Sequence, residues 1–407
     1  MINKIIKNIF NRKYILLWCI FLIGIIIRLI LMDKVGSSDA ASFYLWSRFL
    51  TGNKISDLYE FLPYGYLPYP PLYYFILKIS GFIIQIFNAW NNHWISYFII
   101  RFPVFLSEIV TTLLIFNISK KFLNVTKASV CAGFYFLHPA IIYNSMIWGQ
   151  IDSVVIMLTL LTIILIYNKR IYAGLLIYTA SLLIKLQSLA ILPLILYLLF
   201  IFSRRLKPVK ATIIAFIFGV SLFLPVIINK GFLWTVKYFI NLPNQYPYTS
   251  VYTYNLWSIA GFMVPDSNKI LFIPYKYLGI GLFWLIAGYI IYQFKKAVKL
   301  NTLSLVFAGF LLFIDFAYFS TRMHSRYLIY SLGFIAPFFV SEPFLCISIS
   351  GLIFINLLLP NHELYLSSIT SILNKPSVIN LFSLTTLIFF VHALQKYLKL
   401  NNYEKKH

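Results

Sequence analysis

The chain alternates long apolar runs with short polar connectors, most of them basic. Runs of about 18 or more apolar residues are long enough to cross a bilayer core as helices. In hydrocarbon the backbone must satisfy its own hydrogen bonds, which leaves helices or closed barrels. Barrel strands would alternate over about 10 residues, and no such alternation is present. The pattern predicts an all-α, polytopic transmembrane bundle. Its spans read Tyr14–Met32, Trp94–Ser119, Ala128–Met146, Ile151–Tyr167, Ile171–Lys185, Leu186–Ser203, Ala211–Ile228, Ile270–Phe294, Asn301–Ser320, Arg326–Ser341, Pro343–Pro360 and Ser377–Leu394. The pair covering 171–203 is short for two crossings, so a helix break is expected near Lys185–Gln187.

A thirteenth apolar run, Pro71–Phe87, decides the topology. Basic clusters stand at Lys120/Lys121/Lys127, Lys169/Arg170, Arg204/Arg205/Lys207/Lys210, Lys295/Lys296/Lys299 and Lys396/Lys399/Lys405/Lys406. If Pro71–Phe87 lies along the surface, all five fall on the side of the basic N-terminus. If it crosses, all five fall outside. Cytoplasmic loops carry the excess of Lys and Arg, so the first arrangement is expected, with twelve spans and both termini cytoplasmic. Two opening prolines and Lys78 suit an interfacial helix. The first outer loop then runs from Asp33 to about His93, and a second from Asn229 to Lys269.

Composition fits this picture. Of 407 residues 60% are hydrophobic and 11% charged, with a mean hydropathy of +0.83, against about 25% charged in typical globular chains. The net charge of +23 comes from 34 Lys+Arg against 11 Asp+Glu. That charge sits between spans, so it reads as topology and leaves no basic domain for nucleic acid. Cys19, Cys131 and Cys346 fall inside apolar runs, with neither a disulfide framework nor zinc spacing. The chain is read as one membrane domain, with a core over 1–330 and C-terminal spans and a basic tail over 331–407.

Acidic residues are scarce, and on this topology seven of them face outside: Asp33, Asp39, Asp57, Glu60, Asp152, Asp266 and Glu363. Carboxylate chemistry would therefore open outward. Asp39 follows the first span and is placed to act as a general base or to be a solvated loop residue. Tyr69, Pro70 and Pro71 fix an extended turn before a helix. Trp148, Gln150 and Asp152 form a dense polar grouping at an outer span end. An aromatic face with amide and carboxylate neighbours suits a sugar; an aromatic belt is the plainer reading. Lys185 and Gln187 flank the expected helix break. Arg322, His324 and Arg326 alternate at an outer span end, where the positive-inside rule disfavours arginine. Their planar donor forks suit a lipid phosphate or diphosphate, as they would ordinary headgroups. Arg28 and Arg101 sit near span ends and join the cluster or snorkel. No phosphate-binding glycine loop, nucleophile elbow or His/Cys metal spacing is present.

Taken together, the motifs resemble the type C glycosyltransferases, in particular prokaryotic relatives of the mannosyltransferase that adds the second mannose to glycosylphosphatidylinositol anchors. The resemblance rests on Asp39, YPPLYYF at Tyr69–Phe75, WGQIDS at Trp148–Ser153, KLQ at Lys185–Gln187, YNLW at Tyr254–Trp257 and TRMHSRYL at Thr321–Leu328. It covers Tyr14 to about Tyr330. Two positions depart from the family pattern: Ala40 follows Asp39, and Ser325 follows His324, where acids are common. The resemblance implies an inverting membrane mannosyl- or hexosyltransferase using a polyprenyl- or dolichyl-phosphate sugar, with no metal or cofactor. It implies Asp39 as base, Arg322, His324, Arg326 and Lys185 at the donor phosphate, and Trp148, Gln150, Asp152, Gln187, Tyr69, Asn255 and Trp257 at the sugar or acceptor. The acceptor would be an extracytoplasmic glycan, lipid or protein hydroxyl. A flippase of lipid-linked sugars and a ligase using diphosphate-linked glycans are the rival classes.

Overall fold

The computed structural model describes residues 12–61, 69–202, 207–297, 300–359 and 371–399. Among them are seventeen α-helices and four two-residue strands. The first half comprises α1 (Ile15–Ile30), α2 (Ser38–Gly52), α3 (Ile55–Phe61), α4 (Pro71–Ile86), α5 (His93–Ser119), α6 (Val125–Phe136), α7 (Pro139–Ile142) and α8 (Asp152–Tyr167). The second half comprises α9 (Ile171–Ile184), α10 (Leu192–Ile201), α11 (Lys207–Lys230), α12 (Phe232–Asn241), α13 (Tyr275–Ala297), α14 (Thr302–Phe319), α15 (Tyr330–Ile335), α16 (Pro343–Leu358) and α17 (Pro376–Leu398).

Local chemistry accounts for many of the boundaries. Asn92, Asn124 and Asn301 cap α5, α6 and α14 through side-chain oxygens that accept from the helix N–H groups. Pro71 occupies the first turn of α4, where the missing N–H costs nothing. Each of the twelve segments predicted to span is helical over most of its length. The eighth is trimmed, because Ile270 belongs to a strand and the helix begins at Tyr275. Among the described residues seven helices are long and apolar enough to cross a membrane; Pro71–Ile86 and five others are shorter apolar helices.

One apolar cluster runs from Leu17 to Tyr397, so residues beyond 330 share the core of the rest. Outside it, Leu22 and Ile30 on α1, Phe216, Ile217 and Ile228 on α11, Leu285 on α13 and Leu381 and Ile388 on α17 stand exposed. Apolar surface spread so widely over several helices suits a lipid surround rather than water.

Three features position the polar residues. The loop after α1 folds into α2, α3 and α4, and α2 crosses α4 where Gly81 leaves no room for a Cβ beside the Ser47 carbonyl. The expected break occurs: α9 ends at Ile184, Lys185 is extended (φ −153°, ψ 135°), and a 3₁₀ turn over Leu186–Ile191 leads into α10. The second long loop carries α12 and the strands β1 (Ser250–Val251), β2 (Lys269–Ile270) and β3 (Ile273–Pro274). β2 and β3 form a hairpin, and β1 runs parallel to β4 (Met323–His324), pairing Ser250 with Met323 and Val251 with His324.

Candidate active site

The start of α2 is tied to the turn that precedes α8. The Gly36 N–H donates to the Ile147 carbonyl (3.0 Å), and the Ser37 hydroxyl donates to the Trp148 carbonyl (2.6 Å). Ser37 Oγ also caps α2 by accepting from the Ala40 N–H (3.3 Å), which sets Asp39 in the first helical turn. Opposite, Tyr143–Ile147 form a π-helical turn, a feature common at functional sites. Gly149 follows with φ +79°, and a Cβ there would lie 2.7 Å from the Cβ of Ala40. Close approach explains the small residue at 40: a longer acid beside Asp39 would push the two segments apart.

Asp39 Oδ2 collects three donors from this frame: Gln150 Nε2 at 2.5 Å, Trp148 Nε1 at 3.0 Å and Arg326 Nη1 at 3.3 Å. Oδ1 carries no hydrogen bond among the described residues, and the Asp39 side chain is 36% exposed. The carboxylate is therefore held by one oxygen and open at the other. The Arg326 guanidinium lies 5.3 Å over the Trp148 ring and 5.9 Å over Tyr327. Beyond the bond from Nη1, none of its donors is engaged among the described residues, and Nε is buried without a partner. A buried, unsatisfied arginine donor marks a place where an anion would be welcome.

Beneath Asp39 lies a second layer. Gln150 Oε1 accepts from Lys185 Nζ and from the Tyr69 hydroxyl, both at 3.1 Å. Burial, with Asp39 adding repulsion, pushes the Tyr69 phenol well above its ordinary pKa, so it stays a donor. Lys185 Nζ also donates to Asp152 Oδ1 at 2.5 Å and sits 5.5 Å over the Tyr69 ring. Asp152 is fully buried; its Oδ1 also accepts from the Tyr330 hydroxyl, and its Oδ2 accepts from Asn144 Nδ2 (3.1 Å).

Seven of the residues singled out from the sequence thus meet in one cluster: Asp39, Tyr69, Trp148, Gln150, Asp152, Lys185 and Arg326. Their placement assigns several of them differently from the expectation: Gln150 and Tyr69, expected at the sugar or acceptor, are buried and spend their polar groups on Asp39, Lys185 and each other. Asp152 has both oxygens engaged internally and offers none to a sugar. Lys185 is 4% exposed with its donors directed at Asp152, Gln150 and Tyr69, so it offers none to a phosphate.

The other five stand apart or at the edge. Arg322 adopts a left-handed backbone (φ +66°), and its side chain reaches the second loop. There Nε pairs with Asp266 Oδ2 (2.5 Å) and Nη1 donates to Asn244 Oδ1 (2.6 Å), so the structure does not join Arg322 to Asp39. His324 sits at the rim, its ring 5.6 Å from Trp148 and its Nδ1 3.1 Å from Ser325 Oγ. Burial, with repulsion from Arg326 and Lys185, pushes the imidazole well below its ordinary pKa, so it is neutral rather than a third cation. Asn255 and Trp257, expected along the cleft, anchor the second loop to the end of α14. Asn255 Oδ1 caps the 3₁₀ turn at Ser258 N–H (3.0 Å), and Trp257 Nε1 donates to the Phe319 carbonyl (2.7 Å). Gln187 makes no hydrogen bond to the cluster among the described residues. Arg101 closes the C-terminal end of α1, donating to the Met32 and Lys34 carbonyls at 2.6 and 2.7 Å. Arg28 lies deeper and pairs with Glu108.

Sequence reasoning missed Tyr330 and Asn144, and it named Asp266 only as an outward carboxylate, not as the partner of Arg322. Tyr330 stands four residues after Arg326, across a 3₁₀ turn over Tyr327–Ile329, and opens α15. The pair Arg322–Asp266 is 56 positions apart, with α13 and α14 between, and leaves no local signal. No protein-family model matches the chain, and no curated protein matches it.

Proposed function

We propose that the chain is a membrane glycosyltransferase that moves a hexose, in the nearest reading mannose, from a polyprenyl-phosphate carrier to an acceptor hydroxyl on the extracytoplasmic side, with inversion. The observation that carries this reading is the pairing of a half-open carboxylate with a partly unsatisfied arginine. Asp39 has one oxygen fixed by Trp148, Gln150 and Arg326 and the other open. Arg326 has a buried Nε with no partner among the described residues.

In this mechanism Asp39 Oδ1 takes the proton from the acceptor hydroxyl as that oxygen attacks the anomeric carbon. The bond from the anomeric carbon to the phosphate oxygen breaks on the opposite face, and the carrier leaves as its phosphate monoester. Arg326 stabilises the charge that gathers on the leaving phosphate. Trp148 is buried, with one ring face covered by the guanidinium, and it serves the base by donating Nε1–H to Asp39 Oδ2. The scarcity of outward carboxylates and the chain of motifs from Asp39 to Arg326 support the same reading. So does the open carboxylate's place at the loop end of the first apolar helix.

A transporter of lipid-linked sugars has one observation in its favour. Asp315, within α14, is buried with neither oxygen partnered among the described residues. Purified protein in nanodiscs, supplied with polyprenyl-phosphate mannose and octyl mannoside, separates the readings. Covalent product in the wild type and its loss in Asp39→Asn supports the transferase. Movement of intact donor across the membrane with no product supports the transporter. A polyprenyl-diphosphate sugar in a parallel reaction tests the ligase.

A further inference from the structure

The buried layer under Asp39 is arranged in one direction, and its function is not exhausted by stability. An amide side chain has an acceptor end and a donor end, and it can sit either way round unless its neighbours choose. Here two donors converge on Gln150 Oε1, Lys185 Nζ and the Tyr69 hydroxyl, each at 3.1 Å. Turning the amide over would set its oxygen against the Asp39 carboxylate and its NH₂ against an ammonium and a phenol proton. Gln150 must therefore present Nε2 to Asp39 Oδ2. Lys185 in turn has no freedom: the helix break leaves it extended, its side chain is 4% exposed, and Asp152 Oδ1 holds its ammonium at 2.5 Å. Tyr330 and Asn144 hold Asp152.

From this geometry we infer that Lys185 is a positioning residue for the general base, acting on Asp39 through the Gln150 amide. It is not a ligand of the donor phosphate. Asp152, Tyr330 and Tyr69 belong to the same device, which fixes Oδ2 and leaves Oδ1 aimed at the acceptor. The inference rests on the transferase reading, because it assigns Asp39 the proton transfer. It differs from a phosphate-binding role in what it predicts: loss of Lys185 disturbs the base and leaves the donor's grip on Arg326 intact.

The test compares wild type, Lys185→Met, Gln150→Glu and Arg326→Ala in nanodiscs, with polyprenyl-phosphate mannose and octyl mannoside as probes. For Lys185→Met the expected result is a kcat lowered about tenfold or more, with the donor KM within about twofold of wild type. Arg326→Ala should raise the donor KM. Gln150→Glu keeps an acceptor toward Lys185 and Tyr69 but replaces the donor to Asp39 with a second negative charge. A like charge disfavours ionisation of its neighbour, so the acid limb of the pH–rate profile should move to higher pH by about one unit. That shift tests whether the group at 150 faces the base, and the split between kcat and donor KM in Lys185→Met tests what the layer does for it. If Lys185→Met fails to fold, the Asp152→Asn/Lys185→Met double variant removes both buried charges and is read by the same kcat and donor KM. A Lys185→Met enzyme with normal kcat and a donor KM raised more than tenfold would overturn the inference, as would an unmoved acid limb in Gln150→Glu. In both cases a wild type that transfers mannose and an inert Asp39→Asn leave the transferase reading standing. A wild type that transfers from no lipid-linked sugar overturns both.

Discussion

Of the three arginine–carboxylate pairs among the described residues, two are built to opposite ends. In the inner pair, Arg28 Nε meets Glu108 Oε2 at 2.5 Å, with both side chains fully buried. Arg28 spends its other nitrogens on the Gly24 and Phe136 carbonyls (3.0 and 2.9 Å), and Ser153 Oγ donates to Glu108 Oε1 (2.9 Å). Each nitrogen of Arg28 and each carboxylate oxygen of Glu108 has a partner within α1, α5 and α8 and the end of α6. In the outer pair, Arg326 meets Asp39 at 3.3 Å, Asp39 keeps one oxygen open, and Arg326 keeps a buried Nε unpaired. The inner pair is complete without a ligand, whereas the outer pair is not. That difference, rather than the presence of charge inside a membrane bundle, separates a structural pair from a candidate site.

The comparison is broken most sharply by removing the outer carboxylate. Asp39→Asn keeps shape and should keep a partner for Trp148 and Arg326, yet it cannot take a proton. Transfer of radiolabelled mannose should fall by about 10²–10⁴-fold, the range of a lost general base, with an unchanged thermal midpoint. The inner pair should respond the other way. Arg28→Met leaves Glu108 buried and unpaired, at a cost of about 3–5 kcal/mol. Thermal unfolding in detergent should show that loss, and the Arg28→Met/Glu108→Leu double variant should recover much of it. Retained stability in Arg28→Met would mean that Glu108 finds another partner or a proton.

Much of this contrast was legible before the fold. Apolar runs and basic connectors located the helices, because hydrocarbon leaves the backbone few alternatives. Short lengths over 171–203 located the break at Lys185, and the scarcity of acids drew attention to Asp39 and Asp152. The division of labour among the clustered residues was not legible. Asp152 begins α8, and its helical phase turns it inward to Lys185 and Tyr330 rather than outward. Arg322 and Arg326 are four residues apart and looked equivalent, but the left-handed backbone at Arg322 sends it to Asp266 on the second loop. Such a reversal depends on loop packing at a distance. The close seat of Gly149 on Ala40 is of the same kind, since neither residue announces the other across more than a hundred positions of chain.

That seat offers a smaller test of how the outer site is held. Gly149→Ala adds a methyl 2.7 Å from the Ala40 Cβ on a left-handed backbone. Strain of about 1–3 kcal/mol is expected from the backbone and the contact together. The turn over 143–150 and the start of α2 would separate, lengthening the bonds from Trp148 and Gln150 to Asp39. Transfer should fall about tenfold or more while the thermal midpoint drops by only a few degrees. Equal loss in the inner-pair contrast is not expected, because Gly149 touches neither Arg28 nor Glu108.

The smallest effect concerns His324, which borders the outer pair without titrating near neutrality. Burial and the neighbouring Arg326 and Lys185 hold its pKa well below the ordinary value, which is about 6.5 in an unfolded chain. Between those two values the unfolded state binds a proton that the folded state refuses, so stability rises with pH there. The stabilising difference is full above about 6.5 and is lost as pH falls through that value toward the lowered one. Thermal midpoints measured on the acid side should therefore decline in the wild type and decline less steeply in His324→Asn, which removes the titrating group. At neutral pH the two proteins should differ little in the slope of stability with pH. A midpoint in the wild type that rises on acidification through this window would mean that His324 is a cation in the folded state, and would return it to the set of phosphate-binding charges beside Arg326.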